Sequence, residues 1–157
     1  MNLSSYDFIN LLGRPHSDPD VTATLNNIGL KSQNIRLKRG EFSSAHGAPE
    51  FGVDVVFKNA DEFYLTAEFP ESALIFSTVF FFKEGCQGHK QFLGELPSNL
   101  KFGYSRKEAH KNLGAPEWSS PVLPIDRWLW NGLKLTIDFI EDENSINIIS
   151  CSLPKKN

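Results

Sequence analysis

Sulfur is scarce in this chain, with two cysteines and one methionine in 157 residues. Cys86 and Cys151 are too few for a disulfide framework, so two free thiols in a reducing compartment are expected. No apolar run reaches the ~20 residues that a membrane helix needs. The run from Ala73 to Phe82 is half that length and carries Ser77 and Thr78, which suits a buried strand. The opening residues, Met1 to Phe8, have neither a basic n-region nor a long apolar stretch, so no secretory signal is expected. Charge of one sign is also lacking. The net charge of −3 gives no electrostatic footprint for nucleic acid. Gly-rich phosphate loops, Walker motifs and hydrolase elbows are absent. No His pair stands at helical i, i+4 spacing, so neither a zinc site nor a cofactor is expected.

What is present points to sheet. Thirteen phenylalanines are many for this length, and aromatic residues favour strands. Asn131-Gly132 stands between two alternating runs, the strongest short-range hairpin signal. After it, Leu133, Leu135, Ile137 and Phe139 share one face, while Lys134, Thr136 and Asp138 share the other. Leu65-Thr66-Ala67-Glu68-Phe69 echoes Leu135-Thr136-Ile137-Asp138-Phe139, seventy residues earlier. The echo predicts a protein built twice from one unit.

Read in order, Tyr6 to Leu12 forms a short helix closed by Gly13. Asp18-Pro19 starts a second helix as N-cap and first helical residue, with Val21, Leu25 and Ile28 as its apolar stripe and Gly29 as its end. Residues 34–39 alternate as an edge strand, and Gly40 to Glu50 reads as loop. Strands are expected at 53–58, 63–69 and 74–82, an antiparallel meander with Pro70-Glu71-Ser72 as a turn. Residues 83–91 form a polar linker, and residues 92–103 resist assignment. Ser105 and Glu108 make a capping box for a helix that Gly114 and Pro116 stop. A proline-stiffened connection over 115–125 leads into the hairpin, and a last strand begins at Ile146. The expected fold is α+β in one domain, residues 1–157. Its related halves, 5–82 and 92–153, each place short helices before a meander of about three strands, with helices on one sheet face. Whether the two sheets run together or lie side by side is left open.

The search for chemistry starts from nucleophiles and bases. Cys86 and His89 are three apart, but exposed linker residues are the simpler reading. Glu68 and Asp138 occupy matching positions. They fit solvated acids on half-buried strands, a partner surface, or a general acid/base pair. Asp61, Glu62, Glu141, Asp142 and Glu143 lie in turns. If the turns meet at one edge of the sheet, they make an acidic rim suited to a basic partner. Trp128 and Trp130 share a face and fit either the core or an interface anchor. Tyr64, on the polar face with Thr66 and Glu68, is the better anchor candidate. No catalytic residue is assigned.

Leu96-Pro97, Ser105 to Glu108, Leu113-Gly114-Ala115-Pro116 and Trp128 to Phe139 resemble the helix–Leu-Gly-x-Pro–strand–strand unit of small bacterial domains. Those include the beta-lactamase-inhibitor-protein-like fold and related small outer-membrane lipoproteins. The pattern also resembles small bacterial proteins encoded beside polymorphic or contact-dependent toxins. That last resemblance implies an immunity protein in the cytoplasm, without catalysis, whose partner is a cognate protein toxin, a basic nuclease domain among the candidates. Tyr64, Glu68, Lys134, Thr136 and Asp138 would make the contact, with Trp128, Trp130 and the acidic turns behind them. A partner-binding scaffold module of the same fold is the alternative. Neither nucleic acid nor membrane is expected as a partner.

Overall fold

The computed structural model describes residues 3–65, 67–70 and 72–156. Thr66, in the expected second strand, and Glu71, in the expected turn, lie outside the described residues. Among the described residues, three α-helices, α1 (Tyr6–Ile9), α2 (Pro19–Asn27) and α3 (Arg106–Leu113), accompany seven strands. The strands are β1 (Ser43–Ala48), β2 (Val53–Asn59), β3 (Leu74–Phe82), β4 (Trp118–Ser119), β5 (Ile125–Trp130), β6 (Leu133–Phe139) and β7 (Ile146–Ser152). All join one antiparallel sheet in the order β1-β2-β3-β7-β6-β5-β4. The sheet is continuous because β3 and β7 pair from Thr78↔Ser152 to Phe82↔Ile148.

Local chemistry explains the elements that the sequence signals well. Asp18 caps α2, its carboxylate accepting from the backbone N–H of Asp20 at 2.8 Å. Ser105 and Glu108 form the reciprocal capping box of α3. Asn131 and Gly132 both take positive φ, at 50° and 77°. A primed two-residue turn needs that geometry to follow the twist of its strands.

Three expectations are corrected. Among the described residues of 63–69, none belongs to a strand of the sheet. β2 pairs directly with β3, Asn59 opposite Leu74, and residues 60–73 connect them. With β2 on one side of β3 and β7 on the other, no ladder position is left for another strand. Phe63 instead turns inward, 3% exposed, and makes one isolated bridge to Lys155. The loop read at 40–50 contains β1. Its Ser, Ala and Gly residues carry little strand signal, and pairing with β2 overrides that. The edge strand read at 34–39 is absent. Ser32–Asn34 form a 3-10 turn, and the Arg36 amide donates to the Ser44 hydroxyl instead of to a ladder.

One buried cluster holds the molecule. Val53, Val55 and Phe57 of β2, Val79 and Phe81 of β3, Leu135, Ile137 and Phe139 of β6, and Ile149 and Cys151 of β7 join Phe8, Val21, Leu25 and Ala109 of the helices. A bulge between Val56 and Phe57 keeps both ends of β2 in step with β3. It leaves Phe57 stacked on Phe76, ring centroids 5.2 Å apart. Among the described residues, no helix is long and apolar enough to cross a membrane.

Candidate partner-binding face

The β5–β6 hairpin sorts its residues by face. Trp128 is 4% exposed, and its Nε1–H donates to the Gly114 carbonyl at 3.0 Å. Trp130 is half-buried against the core and tilts against the Tyr6 ring at 6.3 Å. Both tryptophans thus belong to the core side of the sheet. Lys134, Thr136 and Asp138 point the other way, as the alternation requires.

That other face presents two polar rows. Thr78, Ser152 and Lys134 stand side by side across β3, β7 and β6. Ser150, Thr136 and Arg127 form the next row across β7, β6 and β5. Thr78, Ser152, Lys134, Thr136 and Arg127 of these rows, with Lys58 and Lys155, surround an open hollow of about 440 Å³, with Phe63 and Leu153 as its apolar wall. Lys134 Nζ donates to Glu117 Oε1 at 2.7 Å. That bond holds the Glu117 carboxyl below its ordinary range. Arg127 Nε lies 3.4 Å from the same oxygen without a directed hydrogen bond, its guanidinium 5.0 Å from the Trp118 ring centroid. Burial lowers the Lys58 pKa, and the neighbouring Lys155 ammonium lowers it further.

The acidic candidates do not form one surface: Asp61 and Glu68 line an open hollow with Tyr64 and Lys156, whereas Asp138 and the acids of 141–143 lie elsewhere. Tyr64 is 74% exposed and Glu68 is exposed, but neither sits on a strand, so Glu68 has no structural match with Asp138. Tyr64 lies under the Lys156 ammonium, 5.6 Å from ring centroid to Nζ. Asp138 is half-buried between Ile125 and Ile148 on the neighbouring strands, and burial raises its pKa. Asp61 and Glu62 lie beside the Leu74 end of β3, whereas Glu141, Asp142 and Glu143 join β6 to β7 at the opposite end. The acidic rim is therefore not formed. Glu62 instead faces Lys155 at 3.8 Å, and Glu143 pairs with Arg106 at 2.8 Å.

Two titratable clusters lie elsewhere. His89, expected as an exposed linker residue, is 8% exposed and stacks on Phe82 at 3.7 Å. Its Nε2 faces Asp54 Oδ1 at 2.7 Å, and its Nδ1 faces the carbonyls of Cys86 and Gln87, each at 3.1 Å. Both ring nitrogens are engaged with oxygen, so neither is placed to take the Cys86 proton. Burial, then Asp138, pushes that thiol up. The second cluster centres on Asp126, which has no solvent exposure. It accepts from Arg106 at 2.9 and 2.7 Å, from Ser119 and from His110. Burial opposes its charge, but these donors win and hold its pKa at about 2. The network ties α3 and β4 to β5. Among the described residues, no group of three or more His, Cys, Asp or Glu is arranged to hold a metal ion.

Sequence reading missed the contributions of Lys58, Arg127, Thr78, Ser152 and Lys155 to this face. Alternation along β2 and β5 marks Lys58 and Arg127 as outward residues; for Lys155, beyond the last strand, no pattern exists. Compared with models of known families, with curated proteins and with solved structures, the chain finds no match.

Proposed function

We propose that this protein is an immunity protein. It binds a cognate bacterial toxin in the cytoplasm and neutralises it by covering the active site or the substrate surface. The open face of β3, β7, β6 and β5 is the contact surface. The observation that carries this reading is the hollow itself. Side chains capable of hydrogen bonding and charge pairing project from neighbouring strands of a rigid sheet, and rigid presentation limits the entropy lost on binding. Lys134 and Thr136, expected at the contact from the sequence, lie in this hollow.

The same reading takes the molecule as two related halves whose helices cover one sheet face. Helices at Pro19 and Arg106, hairpins starting at Ser43 and Ile125, and third strands at Leu74 and Ile146 recur in that order, which supports it. The correspondence then matches β2, rather than residues 63–69, with β6.

Co-expression with the protein encoded next to this chain tests the proposal. The neighbour is expected to be toxic alone and harmless together with this protein. A neighbour that is harmless alone, or toxic in both cases, contradicts it. A partner-binding scaffold without a toxin is the second reading, since the hollow would serve it equally well.

A further inference from the structure

From the hollow we infer the chemistry of what it receives: a carboxylate-bearing acidic segment of the protein partner, inserted between Lys58, Lys155, Lys134 and Arg127. The inference deepens the partner-binding reading and rests on it. It also reverses the sequence expectation of an acidic face meeting a basic toxin.

Charge carries the first step. Four cations line the hollow, and among the described residues no acid lines it. Two carboxylates reach these cations from beside them: Glu117 serves Lys134 and Arg127, and Glu62 stands 3.8 Å from Lys155. Four positive charges against two negative ones leave an excess of two on a protein whose net charge is −3. Burial and then the neighbouring Lys155 ammonium disfavour the charge on Lys58, a repulsion that an inserted anion relieves.

The floor supplies the second step. Thr78, Thr136 and Ser152 offer hydroxyl donors between the cations. The central strands pair with neighbours on both sides, so their backbone N–H groups are committed to the ladder. Phosphate sites commonly draw on free backbone N–H groups at helix N-termini or in nests. Here recognition falls to side chains, three of them lysine point charges. Glu62 and Glu117 already show these cations meeting carboxylates. Phe63 and Leu153 give an apolar wall for the methylene groups of a glutamate.

The test uses the full chain and three probes in calorimetry and backbone-amide NMR: a capped hexaglutamate peptide, a capped hexaglutamine peptide and inorganic phosphate. Hexaglutamate is expected to bind, to shift resonances around Thr136 and Ser152, and to weaken as salt rises. The Lys58→Gln/Lys155→Gln variant is expected to lose about tenfold in affinity, while Lys58→Arg/Lys155→Arg retains it. Equal binding of hexaglutamine, unchanged binding by the glutamine variant, or phosphate binding tighter than hexaglutamate overturns the inference. If the partner is neutralised while hexaglutamate fails to bind, the immunity reading stands and this inference falls. If hexaglutamate binds the hollow but no toxin is neutralised, the immunity reading is the one that fails.

Discussion

Arg106 Nη2 lies 2.7 Å from Asp126 Oδ1, and its Nε lies 2.9 Å from Oδ2, so a helix residue clamps a carboxylate sealed beneath the sheet edge. The clamp fixes α3 against β5, and β5 presents Arg127 on the opposite face. Removing one partner strands the other. Arg106→Ala is expected to destabilise the fold by about 3 kcal/mol, because Asp126 keeps its charge without its main donor. Urea unfolding followed by circular dichroism measures this directly.

The pH dependence follows from the same pair. The folded pKa of Asp126 is depressed from 3.8 to about 2. Its stabilisation is therefore complete above the ordinary value and is lost as pH falls toward about 2, a change of roughly 2 kcal/mol. Urea midpoints between pH 5 and 2 should fall along that course, with a shallower fall in Asp126→Asn. Asp138 acts with the opposite sign. Burial raises its folded pKa, so its charged form weakens the fold at neutral pH. Asp138→Asn is expected to raise the urea midpoint at pH 7 and to leave it nearly unchanged at pH 3.

Gly52 tests how the 83–91 segment is fastened. Its φ is +70°, and a Cβ there would lie 2.4 Å from both the Lys90 carbonyl and the Phe92 amide. Phe82 donates to the Gly52 carbonyl and Lys90 to that of Pro49, so the β1–β2 turn and this segment are bonded together. Gly52→Ala is expected to cost about 2 kcal/mol or more through strain and displacement. Faster amide exchange at Lys90 and Phe92 would locate the damage.

Trp128 and Lys134 separate fold from contact. Trp128→Ala should lose about 4 kcal/mol of stability by opening the core. Trp128→Phe, which keeps most of the volume but loses the bond to Gly114, should lose about 1 kcal/mol. Neither folded variant is expected to change partner affinity. Lys134→Ala should leave stability within about 0.5 kcal/mol while weakening the partner complex. Thermal unfolding and partner titration together check the division.

Local signals predicted much of this architecture. The Asn131-Gly132 turn, the Asp18 cap and the Ser105–Glu108 box each satisfy their own backbone, so their neighbours alone decide them. Residues 63–69 misled because alternation reports only that a segment can be a strand. Whether a sheet has room for it depends on β2 and β7 occupying both sides of β3. β1 was hidden for the converse reason, since its strand state comes from β2 and not from Ser43 to Ala48 themselves. The proposed contact face was half legible. Lys134 and Thr136 followed from the hairpin, whereas the cations opposite them come from β2 and from the segment after β7, brought together only by the fold.

The most direct measurement is protection from the toxicity proposed for the neighbouring protein by Lys134→Glu/Thr136→Glu, a variant that reverses charge and fills space on the open face without touching the core. The expected result is a protein with unchanged circular dichroism that no longer restores growth and no longer co-purifies with its neighbour. Full protection by this folded variant would place the contact elsewhere and contradict the account.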